Sequence, residues 1–365
     1  MCTTLKEATL LVPALKHGLC HYPSAPNDVH LGSAFALQCA REIRYLSLGP
    51  EVFQLQGWAA FGGAAKQMTR LDLRCSSVLE AAQAELMMQQ CGAITALLLS
   101  GSHMPALLPS AVTELTAIFG PPPKCGCHTT QLDALIYRAG LLPQLRRLEI
   151  ELCATGQPAA LLLQAPVQLP VLHTLVIFEV QLSAPEIDLR WVQRQPCSIL
   201  ELNMIADTPD ITKHAAVVKQ LSLMTISSLS LDFKVPFTSE LQALWSGLEL
   251  RRFSLQMGAD PMVPLQGLPR CIELQWDYFP GLDNSKAYVS WHALADQAAR
   301  IVVTVDGELH VTGADSSAEH LAQPWQLEVN ATAIHGLPAS QSAEDGWYLL
   351  QNAAARAAGW TCFMD

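Results

Sequence analysis

One short pattern of apolar positions returns along the chain: apolar, two residues, apolar, one residue, apolar. Its clearest copies are Leu145-x-x-Leu148-x-Ile150, Leu172-x-x-Leu175-x-Ile177, Ile199-x-x-Leu202-x-Met204, Ile226-x-x-Leu229-x-Leu231 and Leu250-x-x-Phe253-x-Leu255. The middle residues fall at 148, 175, 202, 229 and 253, so the intervals are 27, 27, 27 and 24. Upstream copies centre on Leu46, Leu71 and Leu97, and a weaker one on Leu115. Downstream, Pro269-x-x-Ile272-x-Leu274, Ala298-x-x-Ile301-x-Val303 and Pro324-x-x-Leu327-x-Val329 are degenerate. Alternation over five or six residues predicts a short strand with one buried face at each copy. Between the strands, Val78 to Gln90, Gln131 to Leu142, Asp210 to Leu223, Thr238 to Trp245 and Lys286 to Ala299 suit helices by composition.

A unit of strand, turn and helix this short cannot bury its apolar face alone, whereas stacked copies can. In the period and the apolar triplet, residues 41 to 332 resemble the leucine-rich-repeat family. The family continues each copy with Asn or Cys three residues on. Cys153 fits that place, while Ser76, Ser102, Asp207 and Lys234 occupy it elsewhere. The lengths resemble the intracellular Cys-containing and ribonuclease-inhibitor-like subclasses. That resemblance implies an α/β solenoid with a curved parallel sheet on the concave side and helices on the convex side. A doubly wound α/β sheet is the competing arrangement. Its strands read as continuous apolar runs, whereas these keep polar residues such as Arg147, Glu149 and Glu151 between the apolar ones.

Residues 1–40 hold no repeat and carry Pro13, Pro23 and Pro26; they are expected to cap the first strand. The array, 41–332, is interrupted by a loop near 120–130 that contains three consecutive prolines from Pro121. Residues 333–365 are expected to form a closing cap, with a helix running through Trp347, Leu349, Leu350 and Ala354 after Ser342-x-x-Asp345.

Half of the residues are hydrophobic and 15% are charged, which supplies a large core and excludes disorder for most of the chain. The net charge of -11, without a Lys/Arg cluster, disfavours nucleic acid as a partner. Eleven cysteines, odd in number and with no C-x-x-C pair, read as free thiols of a reducing compartment, cytoplasmic or nuclear. No apolar run is long enough for a membrane span. The apolar run Ala8 to Leu15 follows Lys6 and Glu7 and contains Pro13, so it makes a poor secretory signal, and Asn330-Ala331-Thr332 carries no weight as a sequon without one.

Cys125-x-Cys127-His128 clusters ligand types without the paired spacing of a zinc site, so no metal, cofactor or catalytic residue is expected. The scattered histidines read as structural or exposed. The chain is therefore expected to bind a protein through the concave face rather than to catalyse a reaction. The positions between the apolar residues point outward. They are Arg147, Glu149 and Glu151; Thr174, Val176 and Phe178; Glu201, Asn203 and Ile205; Ser228, Ser230 and Asp232; and Arg252, Ser254 and Gln256, with Arg70, Asp72 and Arg74 earlier. Val176, Phe178 and Ile205 would give this face an apolar centre, as protein interfaces have. Three other roles fit the same architecture. They are a substrate receptor of an F-box ubiquitin ligase (residues 1–40 show no F-box), a structural part of a cytoskeletal or ciliary assembly, and an accessory regulator of an enzyme.

Overall fold

In the computed structural model of the protein, the second and third apolar residues of every repeated triplet except the one centred on Ile272 lie on a strand. The structure describes residues 45–48, 63, 66–75, 77–91, 93–101, 103–119, 128–152, 161–162, 167–257, 268–269, 271–278, 286–290, 298–312, 324–335, 341–342, 347–351 and 353–358. These fall into two compact units. The first holds the described residues up to Glu179 together with Asp188–Ile199; the second holds Val180–Ile187 and those from Leu200 onward.

The first unit is built on β1 (Tyr45–Leu48), β2 (Arg70–Cys75), β3 (Ala96–Gly101), β4 (Glu114–Phe119), β5 (Arg147–Leu152) and β7 (Thr174–Gln181), apart from the last two residues of β7. They lie in that order and every pair is parallel. The two-residue strand β6 (Leu161–Leu162) stands off this path, as does β8 (Ile187–Asp188), whose first residue falls in the second unit. The register aligns the middle apolar positions as Leu46, Leu71, Leu97, Leu115, Leu148 and Leu175. From Leu71 to Leu175 these leucines are buried, and so are the first apolar positions Met68, Ile94, Val112, Leu145 and Leu172. A leucine in such a ladder contributes about 1.5–3 kcal/mol by leaving water.

Helices cover the inward side of the ladder. Helix α1 (Val78–Gln90) begins at Ser77, whose hydroxyl accepts the Glu80 N–H at 3.3 Å, and buries Ala81, Ala84, Met87 and Met88. Helix α2 (His128–Ala139) buries Leu132, Leu135, Ile136 and Ala139. The short α3 (Arg190–Gln193) is held by Trp191, whose indole N–H donates to the Val167 carbonyl at 2.7 Å.

In the second unit β9 (Ile199–Ala206, its first residue excepted), β10 (Ser228–Phe233), β11 (Arg252–Met257), β12 (Glu273–Tyr278), β14 (Arg300–Thr312) and β15 (Gln326–His335) again run parallel in sequence order. Their central rung is Leu202, Leu229, Phe253, Leu274, Ile301 and Leu327, all buried. Strand β13 (Lys286–Ser290) runs parallel to the far half of β14. Strand β17 (Trp347–Gln351) is antiparallel to β15, and β16 (Gln341–Ser342) is antiparallel to β17. The helices are α4 (Ile211–Leu221), α5 (Ser239–Trp245) and α6 (Ala353–Ala357). Asp210 caps α4 by accepting the Thr212 N–H at 2.9 Å, and Thr238 caps α5.

Three expectations need correction. Residues Lys286–Ser290 are a strand, not the start of a helix; Tyr288 and Val289 favour a strand, and the far half of β14 offers an edge to pair with. The segment after Ser342 forms a strand, Trp347–Gln351, and only then a short helix, Ala353–Ala357, because β15 offers its edge in the same way. The repeat copy at 272 is shifted by two: Phe253 aligns with Leu274 and Leu255 with Trp276, while Ile272 is 56% exposed. The proposed cap at 1–40 and the Pro121 to Cys127 stretch lie outside the described residues.

Candidate functional site

In the second unit the outward side chains stand in three columns set by the parallel register. The first runs Glu201, Ser228, Arg252, Glu273, Arg300, Gln326. The second runs Asn203, Ser230, Ser254, Gln275, Val302, Glu328, and the third Ile205, Asp232, Gln256, Asp277, Thr304, Asn330. From β9 to β12 every member is half-buried or exposed. At β14 and β15 the face closes in part: Val302, Gln326 and Glu328 are buried while Arg300, Thr304 and Asn330 stay half-buried, and the Gln326 amide donates to the Glu328 carboxylate. The open part thus spans four strands, about 14 Å at the usual strand spacing.

Its central column, Asn203, Ser230, Ser254 and Gln275, is uncharged and offers both donors and acceptors. Charges flank it. Arg252 pairs with Glu273 at 2.7 Å, Lys234 with Asp232 at 2.7 Å, and the Gln275 amide donates to Asp277 at 2.8 Å. Exposed pairs of this kind contribute about 0–1 kcal/mol each, so they orient side chains more than they hold the fold. With Glu201 and Asp277 added, carboxylates outnumber cations on this face.

The first unit presents a different surface. Arg147, Glu149 and Glu151 on β5 stand opposite Thr174, Val176 and Phe178 on β7. Thr174 and Val176, expected as exposed members of the binding face, are buried at 8% and 1% exposure, and Phe178 is half-buried. Val176 therefore belongs to the packed interior and offers a partner nothing, and the expected apolar centre reduces to Phe178 here and Ile205 in the second unit. Arg147 pairs with Glu149 at 3.1 Å. Burial, then the neighbouring Glu179 and Glu149, raises the Glu151 carboxyl above its usual range. Glu179 itself takes the left-handed conformation, φ 61°, which is uncommon for a residue with a side chain. Arg70, Asp72 and Arg74 continue the outward positions on β2, with Arg70 and Asp72 paired at 3.4 Å.

Cys75, Cys197 and Cys271 are free thiols. Burial pushes Cys75 and Cys271 up to about 12 and Cys91 up to about 11, so these thiols stay protonated and inert at neutral pH. One group of metal-ligating side chains converges among the described residues: Glu308, His310 and His335 on β14 and β15. Sequence reading passed over it because the histidines are 25 residues apart and meet only through strand pairing. No described helix is long and apolar enough to cross a membrane.

No protein-family model matches the chain, and comparison with curated proteins finds no significant relative.

Proposed function

We propose that the chain is a leucine-rich-repeat solenoid, sheet concave and helices convex, that binds a protein partner without catalysing a reaction. The binding surface is the outward face of β9 to β12. The observation that carries this reading is the register-aligned column of Asn203, Ser230, Ser254 and Gln275, flanked by carboxylates and solvent-accessible along four strands. Four neighbouring hydroxyl and amide groups add little to folding when water can satisfy them, but they can recognise the donors and acceptors of a peptide or loop. The carboxylate excess fits a partner segment carrying Lys or Arg and opposes phosphate backbones. Free cysteines among the described residues fit a reducing compartment, the cytoplasm or nucleus.

Ser254→Trp tests the reading, since a bulky ring at the centre of the column blocks access while its Cβ stays on the solvent side. Partners captured by the parent chain and identified by mass spectrometry should be lost from the variant, with the unfolding temperature unchanged. Retention of every partner by a folded Ser254→Trp chain rules out this face.

A further inference from the structure

Beyond the last outward column, β14 and β15 bring three ligand-bearing side chains together. Glu308 and His310 are two apart on β14, so they leave the same face of the strand. His335 is the parallel register partner of His310. That pairing depends on an irregularity. Between Val305 and Glu308 β14 advances three residues while β15 advances two, from Ala331 to Ala333. Gly307 sits in this bulge at φ 146°, a conformation that residues with a Cβ rarely adopt. Had the Val305–Ala331 register continued, His310 would face Gly336 and His335 would fall out of step.

The two imidazoles stack, with centroids 4.5 Å apart and planes 20° from parallel. Both direct Nε2 at one carboxylate oxygen: His310 Nε2 is 3.3 Å and His335 Nε2 3.9 Å from Glu308 Oε2. One ligand atom from each residue lies within 4.8 Å of the other two. Ligands at tetrahedral zinc distances stand roughly 3.4 Å apart, so two of the three edges are already within about half an ångström of that. A single ion pair would use one imidazole. A cation between the three groups would instead engage all of them, each imidazole through a ring-nitrogen lone pair and Glu308 through its carboxylate.

We propose that Glu308, His310 and His335 bind one Zn²⁺ ion, with two imidazole nitrogens and a carboxylate oxygen in three positions and water in the fourth. The His335 side chain is 52% exposed, which leaves that fourth position on the solvent side. The mixed nitrogen and oxygen set suits zinc, whereas magnesium and calcium favour oxygen alone.

Titration of the full chain with Co²⁺, a spectroscopic stand-in for zinc, tests the site. One equivalent should bind with visible d–d bands, without the near-ultraviolet thiolate charge transfer that cysteine ligation produces, and Zn²⁺ should displace it. His310→Ala, His335→Ala and Glu308→Gln should each weaken binding at least about tenfold, a loss that even outer-shell changes around a metal can cause. Circular dichroism and the unfolding temperature without metal should stay those of the parent for His335→Ala, whose side chain is half in solvent. The proposal is overturned if the parent binds neither ion, if the bound cobalt shows thiolate bands alone, or if a folded His335→Ala chain binds as tightly as the parent.

Discussion

Replacing His214 by alanine probes the second unit at its most constrained polar point. His214 is fully buried on α4. The Trp245 indole N–H lies 3.2 Å from its Nδ1, and its Nε2 lies 2.8 Å from the Thr208 carbonyl. An indole N–H can only donate and a carbonyl can only accept, so the imidazole must be neutral with its proton on Nε2. Phe233 stacks on the ring at 6.3 Å between centroids, and Trp245 meets it edge-on at 5.9 Å. Truncation strands the indole N–H and the carbonyl and leaves a cavity against two aromatic rings. A buried group without its partner costs about 1–3 kcal/mol. With the cavity added, the total is about 2–5 kcal/mol. Urea unfolding at neutral pH, followed by tryptophan fluorescence, measures it. The same residue sets a pH dependence. Burial is the main cause that lowers the folded-state pKa of His214 below the ordinary 6.5. The unfolded chain therefore binds the proton first as the solution is acidified. The contribution of His214 to stability is fully present above pH 6.5 and is lost as pH falls from there through the folded-state value. The alanine variant should lack that part of the acid slope. A loss under about 1 kcal/mol, or an acid slope identical to that of the parent, would refute the reasoning.

The register at β12 is checked by Leu274→Ala, which should cost about 2–5 kcal/mol, against Ile272→Ser, which should cost about 0.5 kcal/mol or less as an exposed position; equal losses in chemical denaturation would restore the reading centred on 272. Alkylation of the folded chain at neutral pH should leave Cys75, Cys91 and Cys271 unmodified long after unfolded chain has reacted, as read by peptide mass analysis, because their thiols ionise only near 11 to 12. Gly101→Ala should lower the unfolding temperature sharply: Gly101 has φ 121°, and an added Cβ would come 2.0 Å from the Cys75 carbonyl oxygen. An unchanged transition would mean that β2 and β3 are not paired there as described.

The strands were legible wherever the apolar triplet survived. Leu71, Leu97, Leu115, Leu148 and Leu175 in the first unit, and Leu202, Leu229 and Phe253 in the second, sit in register on parallel strands, because period-two alternation and a recurring interval both follow from stacking similar units. Helices with local signals were legible too, Ser77, Asp210 and Thr238 capping α1, α4 and α5 as their side chains dictate. Legibility failed where a segment was captured by a distant edge. Lys286–Ser290 and Trp347–Gln351 have compositions that permit a helix, and the edges of β14 and β15 turn them into strands.

Of the candidate binding face, the amino-acid sequence by itself determined which side chains alternate outward, since the pleat sends successive residues to opposite faces whatever the surroundings. Only the tertiary structure decided which of those positions reach solvent. Val176 and Ser254 hold equivalent places in their strands, yet the first is buried and the second half-exposed, because alternation fixes the direction of a side chain and not what packs over it. The Glu308, His310 and His335 cluster was likewise beyond local reading. Its geometry comes from a one-residue bulge and a parallel register, both fixed by the pairing of β14 with β15 and neither encoded in the spacing of the three residues.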